Sequence, residues 1–269
     1  MDPPLRIGTS SWSAPSWEGP FYPKGTLPAD YLPFYASEFD TVEVDATFYR
    51  TPSARMVDAW HDRTPAGFVF AAKIPRVITH EKMLVGCEEE MGTFLKVMDR
   101  LGDKLGPLLF QFRYFKQSEV PEPNPFLDRL EQFLPTLPQG LRFAVEVRNK
   151  SFLTTRLLDL LRKHKVALAL IDHPYFYRID TLMAREGILT TDFAYLRWLG
   201  DRYKIEEQTK SWDRVIIDRR REMEHWIPAI RKMQEQNRAV YGYFNNHYAG
   251  YAVGSIRFFR ELWGQPASV

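Results

Sequence analysis

RFAVEVRN, residues 142–149, sets Phe143, Val145 and Val147 on one side of an extended chain and Ala144, Glu146 and Arg148 on the other, because successive side chains of a strand point to opposite faces. TVEVDATFY (41–49) repeats the arrangement, with Val42, Val44 and Ala46 against Glu43, Asp45 and Thr47. Six further apolar runs share the habit: RIGTSSW (6–12), FVFAAKIP (68–75), PLLFQFRYF (107–115), ALALIDHP (167–174), AYLRWLG (194–200) and VYGYFNN (240–246). Their charged or amide side chains gather near the C-terminal ends. An apolar outer face and a charged inner face are what a closed parallel barrel with a polar mouth requires, and barrel active sites sit at that mouth.

Helical patterns separate the runs. PADYLPFYASEF (28–39), SARMVDAWHDR (53–63), GCEEEMGTFLKVMDRLG (86–102), NPFLDRLEQFL (124–134), SFLTTRLLDLLRKH (151–164) and SWDRVIIDRRREMEHWIPAIRKMQEQN (211–237) carry apolar residues three or four apart, the helical spacing. Ser53, Asn124, Ser151 and Ser211 are the expected caps. Pro228 should kink or split the last segment near Trp226, and 175–191 should be irregular. Alternating strands and helices predict βαβ units. The expectation is one α/β domain over 1–269, a single (β/α)8 TIM barrel with parallel strands; such barrels typically need about 250 residues.

Composition bounds the partners. A formal net charge of +2 argues neither for nor against an anionic ligand. The basic run Arg219-Arg220-Arg221 is followed by Glu222 and Glu224 and reads as a solvated helix face. A lone cysteine, Cys87, excludes an internal disulfide and a cysteine-based zinc cage. The first strand pattern opens by residue 5, which leaves no room for a signal peptide, and no apolar run approaches the roughly 18 residues of a membrane span. The expectation is a cytoplasmic protein with no membrane partner.

The stretches IGTSSWSAPSWEGPFYP (7–23), VEVDATFYRTP (42–52), FAAKIPRVITH (70–80), LLFQFRYF (108–115), AVEVRNKSF (144–152), YLRWLG (195–200) and YGYFNNHYAGYAVGS (241–255) make the chain similar to the YecE-like family, TIM barrels long described as a domain of unknown function. The resemblance runs nearly end to end and implies the barrel. The sequence departs from the family pattern at Asp45, where Asn is usual, at Arg113, where proline is usual, and at Arg197-Trp198-Leu199-Gly200, in place of an Arg-x-His-Gly stretch. The resemblance therefore implies a fold rather than a substrate. The family's likeness to endonuclease IV and xylose isomerase barrels is an analogy of fold.

Projecting the alternation onto a barrel places Glu43, Asp45, Lys73, Gln111, Arg113, Glu146, Arg148, Asp172, Arg197 and one of Asn245 or Asn246 inside, near the mouth. Four acids face four bases. Either they pair off as a buried ion network, or they form a functional pocket; hydrophobic replacements often serve stability as well as buried ion pairs do, which favours the pocket. Guanidinium forks match phosphate and carboxylate oxygens, so the expected partner is a small polar ligand carrying an anionic group. Trp12, Trp17, Tyr49 and His80 are expected to rim the site. Lys73, Glu146, Asp172 and His247 are the candidate catalytic groups, suited to acid/base hydrolase or lyase chemistry without a multi-metal centre. No cofactor is expected, since Walker, dinucleotide and nucleophile-elbow motifs are absent. One divalent metal on Glu43, Asp45, Glu146 and Asp172 stays open, as does the alternative of a nucleic-acid-binding or endonuclease IV-like metal-dependent protein. The sequence leaves the oligomeric state open.

Overall fold

A computed structural model describes residues 3–120 and 122–264. Eight parallel strands form one sheet: β1 (Leu5–Thr9), β2 (Thr41–Val44), β3 (Val69–Lys73), β4 (Leu105–Gln111), β5 (Phe143–Glu146), β6 (Val166–Asp172), β7 (Phe193–Trp198) and β8 (Ala239–Phe244). Neighbours run in chain order from β2 to β8, and β8 returns to pair with β1. Each predicted run supplies one strand, so the barrel read from the sequence is the fold.

The helices are α1 (Tyr31–Glu38), α2 (Ala54–Asp62), α3 (Glu88–Met98), α4 (Asn124–Phe133), α5 (Thr155–Lys163), α6 (Ile179–Met183), α7 (Arg202–Gln208), α8 (Arg220–Glu224), α9 (Trp226–Glu235), α10 (Asn246–Ala249) and α11 (Ala252–Trp263). Ser53 caps α2 by accepting from the Met56 amide, as expected. At α5 the cap is Thr154, not Ser151. Asn124 opens α4 instead of capping it. Ser211 caps nothing, because the predicted helix 211–237 is helical only from Arg220 and breaks at His225. The segment before it is held irregular by the Ala249 carbonyl, which accepts from the Ile216 and Ile217 amides. Of the basic run, Arg220 pairs with exposed Asp218, while Arg219 lies over the Tyr248 ring. The 175–191 region is irregular except for the five residues of α6.

The seam between β1 and β2 is closed by a side chain. Tyr35 of α1 accepts from the Thr9 amide at 2.9 Å and donates to the Thr41 carbonyl at 3.1 Å. Gly8 permits the approach, since a Cβ there would stand 2.2 Å from the Thr41 carbonyl oxygen.

Inside the barrel, Ala71, Leu109, Ala144, Ala167 and Ala169 of β3 to β6 meet Phe193, Tyr195, Tyr241 and Tyr243 of β7 and β8. Large rings on one wall fill the space that alanines leave on the other, which keeps the interior close-packed. The larger core lies between the sheet and the helices. Among the described residues no helix is long and apolar enough to cross a membrane.

Candidate functional site

Three strand ends carry the innermost charges of the mouth. Arg197 of β7 donates to Glu146 of β5 at 2.5 Å and to Glu43 of β2 at 2.8 Å. Tyr195, two residues earlier on the same face, donates to Glu43 at 2.6 Å, and Arg148 donates to Glu146 at 2.8 Å. Glu43, Glu146 and Arg197 are all buried. Burial opposes the ionised form of Glu146, but Arg197 and Arg148 outweigh it and hold the carboxyl at about 2. A carboxylate so held stays charged at neutral pH, which suits fixing arginines better than carrying protons.

A second pair closes the layer. Lys73, at the end of β3, forms an ion pair with Asp45. Asp45 stands in a 3-10 turn (Asp45–Phe48), tied to β3 by the Thr47 hydroxyl, which donates to the Lys73 carbonyl at 2.7 Å. Burial raises the Asp45 carboxyl, and Lys73 overrides it to leave the pKa lowered. Beside them His80 packs edge-on against Phe48 at 5.0 Å. Burial, then Arg113, Arg76, Arg148 and Lys73, press its pKa down to about 4. The neutral ring therefore sits among four cations. Arg113 is half-exposed and pairs with Glu119. Gln111 is buried, and its side-chain amide donates to the Phe112 carbonyl at 2.7 Å.

Two of the hollows at this end include residues of the charged layer, Arg148 in one and Asp45 in the other. A cleft of about 810 Å³ lies over β4 to β7, lined by Tyr114, Arg148, Asn149, Lys150, Ser151, His173, Tyr175, Asp201, Arg202 and Tyr203. Burial and then Arg148 lower the pKa of His173. A cavity of about 160 Å³ lies where β1, β2 and β8 end, lined in part by Ser10, Trp17, Asp45, Asn245, Asn246 and His247. There the Asn245 side chain accepts from the His247 amide at 2.9 Å and meets its Nδ1 at 2.7 Å, while Nε2 faces Glu206 at 3.0 Å. Burial lowers the pKa of His247, and Glu206 works against it.

Three expected site residues lie elsewhere. Asp172 is not in the lumen. On β6 the inward positions are Ala167 and Ala169, so residue 172 falls on the helix side, where it accepts from Trp226 Nε1 at 3.0 Å and from the Tyr248 hydroxyl at 3.3 Å. Tyr49 lines a separate surface groove with Arg50 and Arg76. Trp12 turns into the helical layer against Trp60 and Phe70.

The four acids considered for a metal are thereby scattered: Asp172 faces away, and Glu43 and Glu146 are bound to Arg197. Among the described residues no group of three or more His, Cys, Asp or Glu is placed to hold an ion. Sequence reasoning missed Tyr195, although it shares a strand face with Arg197. It also missed Lys150, Tyr175, Arg202 and Tyr203, which lie in loops where periodicity says nothing about direction.

Comparison with known proteins agrees with this architecture. The model of a family described as "Protein of unknown function DUF72" matches residues 6–269. The chain is 31% identical over 149 residues to the UPF0759 protein YecE of Escherichia coli (strain K12), a match covering 55% of this chain and 50% of that protein. The chain thus matches only about half the length of that relative. It is 25% identical over 273 residues to the UPF0759 protein YunF of Bacillus subtilis (strain 168), covering 96% of this chain and 94% of the other. The crystal structure of a DUF72 family protein from Thermotoga maritima superposes with a TM-score of 0.74 at 26% identity, over 96% of this chain and 99% of the other.

Proposed function

Since the chain belongs to the DUF72 family of proteins of unknown function, we propose its role from the geometry of its own cleft: it is an enzyme, or enzyme-like binder, for a small polar ligand carrying phosphate or carboxylate. One observation carries the reading. Arg148, Lys150 and Arg202 line, together with a single carboxylate, Asp201, a cleft of about 810 Å³. That size lies within the ~300–1,000 Å³ of small-molecule sites. Arginine forks and a lysine suit an anion's oxygens.

Chemistry in such a cleft falls to groups beside the anion rather than beneath it. His173 lines the cleft with a lowered pKa, and a neutral imidazole is a competent general base at neutral pH. Lys73 and Asp45 are paired to each other, and Glu146 is fixed by two arginines. In this reading those three orient and stabilise charge.

Calorimetry at low salt with inorganic phosphate, small phosphate esters and dicarboxylates tests the proposal. Binding that disappears in the double variant Arg148→Met, Lys150→Met is the expected result. Absence of binding by every anion, or binding indifferent to those changes, overturns it. A second reading draws on the exposed Tyr114, Tyr175 and Tyr203 at the cleft, since rings among cations also suit single-stranded nucleic acid. It predicts an affinity whose logarithm falls with log salt by roughly 0.7 per phosphate contact.

A further inference from the structure

The small cavity at the other side of the mouth is built differently from the cleft. Among the described residues no lysine or arginine lines it. Ser10 and Trp17 are 5% and 1% exposed, and Ser10 Oγ and Trp17 Nε1 have no hydrogen-bond partner among the described residues. Buried polar atoms left without partners cost about 1–3 kcal/mol each, so a native cavity whose lining residues carry two of them calls for an occupant. The third group is the Asp45 carboxylate, which meets Lys73 at Oδ1 and has lone pairs to accept a further hydrogen bond. His247 offers nothing more, because both ring nitrogens are engaged by Asn245 and Glu206. Trp17, Trp212 and Phe244 supply the apolar remainder of the wall.

We propose that this cavity is a binding subsite for an uncharged, hydroxyl-bearing group, as on a polyol or sugar. A hydroxyl both donates and accepts, and here it finds donors in Ser10 and Trp17 and an acceptor in Asp45. An anion would meet the Asp45 carboxylate with no free cation beside it, and an apolar group would leave all three polar atoms unpaired. At about 160 Å³ the space holds about five water-sized groups of ~30 Å³ each, enough for a few hydroxylated carbons and too little for a nucleobase with its sugar.

The subsite is independent of the anion cleft, and the test separates the two. Saturation-transfer NMR is recorded on the whole chain with glycerol, erythritol and myo-inositol, and phosphate binding is followed by calorimetry. Ser10→Ala should weaken polyol binding about 2–10-fold, the effect of one uncharged hydrogen bond, and Asp45→Asn about 10–100-fold, the effect of a charged one. Arg148→Met should leave polyol transfer unchanged while it weakens phosphate binding. Should Asp45→Asn fail to fold, Ser10→Ala still decides. No transfer to any polyol, or transfer that survives Ser10→Ala at full strength, means that the cavity holds water only and overturns the proposal.

Discussion

Arg197 and Glu146 approach to 2.5 Å inside the barrel although 51 residues separate them in the chain. Neither is exposed, and the same guanidinium also reaches Glu43. The charged inner layer is therefore of two kinds. Its floor is a closed network of Glu43, Glu146, Arg197 and Tyr195. Its rim, with Arg148, Arg113, His80 and the Lys73–Asp45 pair, is partly open to solvent and is where a ligand can compete for a partner.

Floor and rim should respond differently to substitution. Glu146→Gln removes a buried partner of Arg197 and should destabilise the fold by about 3–5 kcal/mol, the usual effect of breaking a buried pair. Arg148, 29% exposed along its side chain, is screened by solvent, so Arg148→Met should cost no more than about 1 kcal/mol while phosphate affinity falls. Urea denaturation beside calorimetry reads both quantities. Equal destabilisation by the two changes, with phosphate binding per folded molecule unaltered, would mean that the rim is structural as well.

The same network sets the acid limit of stability. Glu146 titrates at about 2 in the fold against 4.5 ordinarily. A depressed carboxyl contributes its stabilisation fully above the ordinary value and loses it as pH falls through the folded one. About 3 kcal/mol, at ~1.4 kcal/mol for each pH unit between the two values, should therefore be lost between about pH 4.5 and 2. Glu146→Gln should remove that component, so its stability should fall less over this interval than that of the unsubstituted protein. Parallel curves would contradict the assignment.

His80 reports on the rim. Its ring is pressed to about 4 by burial and by the cations around it, so at pH 6 it should be neutral in a histidine NMR titration. An anion bound at Arg148 in the cleft would offset one of those cations and favour the protonated ring. The titration midpoint should therefore rise when phosphate is added, and the rise should vanish in Arg148→Met. A midpoint near 6.5 without phosphate, or one that phosphate does not move, would count against both the burial of the ring and the anion site.

The barrel is legible in the sequence because its strands alternate by two. Glu43, Glu146 and Arg197 fall on the inner face by parity alone, and they meet there. Asp172 is misplaced when parity is carried from the end of the run, where acid follows Ile171, rather than from its alanines; Ala167 and Ala169 fix the inward phase of β6, and an even-numbered residue is then outside. The helix predicted from 211 fails because apolar Trp212, Val215 and Ile216 mimic a stripe, whereas tertiary bonds from Ile216 and Ile217 to Ala249 determine the local path. The cleft residues on loops carry no such signal, because no repeating geometry assigns a loop side chain its direction.

Exposed tyrosines give the last prediction. Tyr114, Tyr175 and Tyr203 are 59%, 67% and 78% exposed, follow three different strands, and rim one cleft. Large rings left in water are uncommon without a use when they gather at one place. Replacing Tyr175 and Tyr203 by alanine should change stability by no more than about 0.5 kcal/mol per site, as for surface positions generally. If the rings stack on a flat ligand, the double change should weaken a ring-bearing phosphate by about 1–3 kcal/mol per stacked face, and inorganic phosphate should bind as before. Equal losses for both ligands would show that the tyrosines hold the cleft open rather than contact a ring. An unchanged affinity for the ring-bearing phosphate would show that the ligand is recognised by its charge alone.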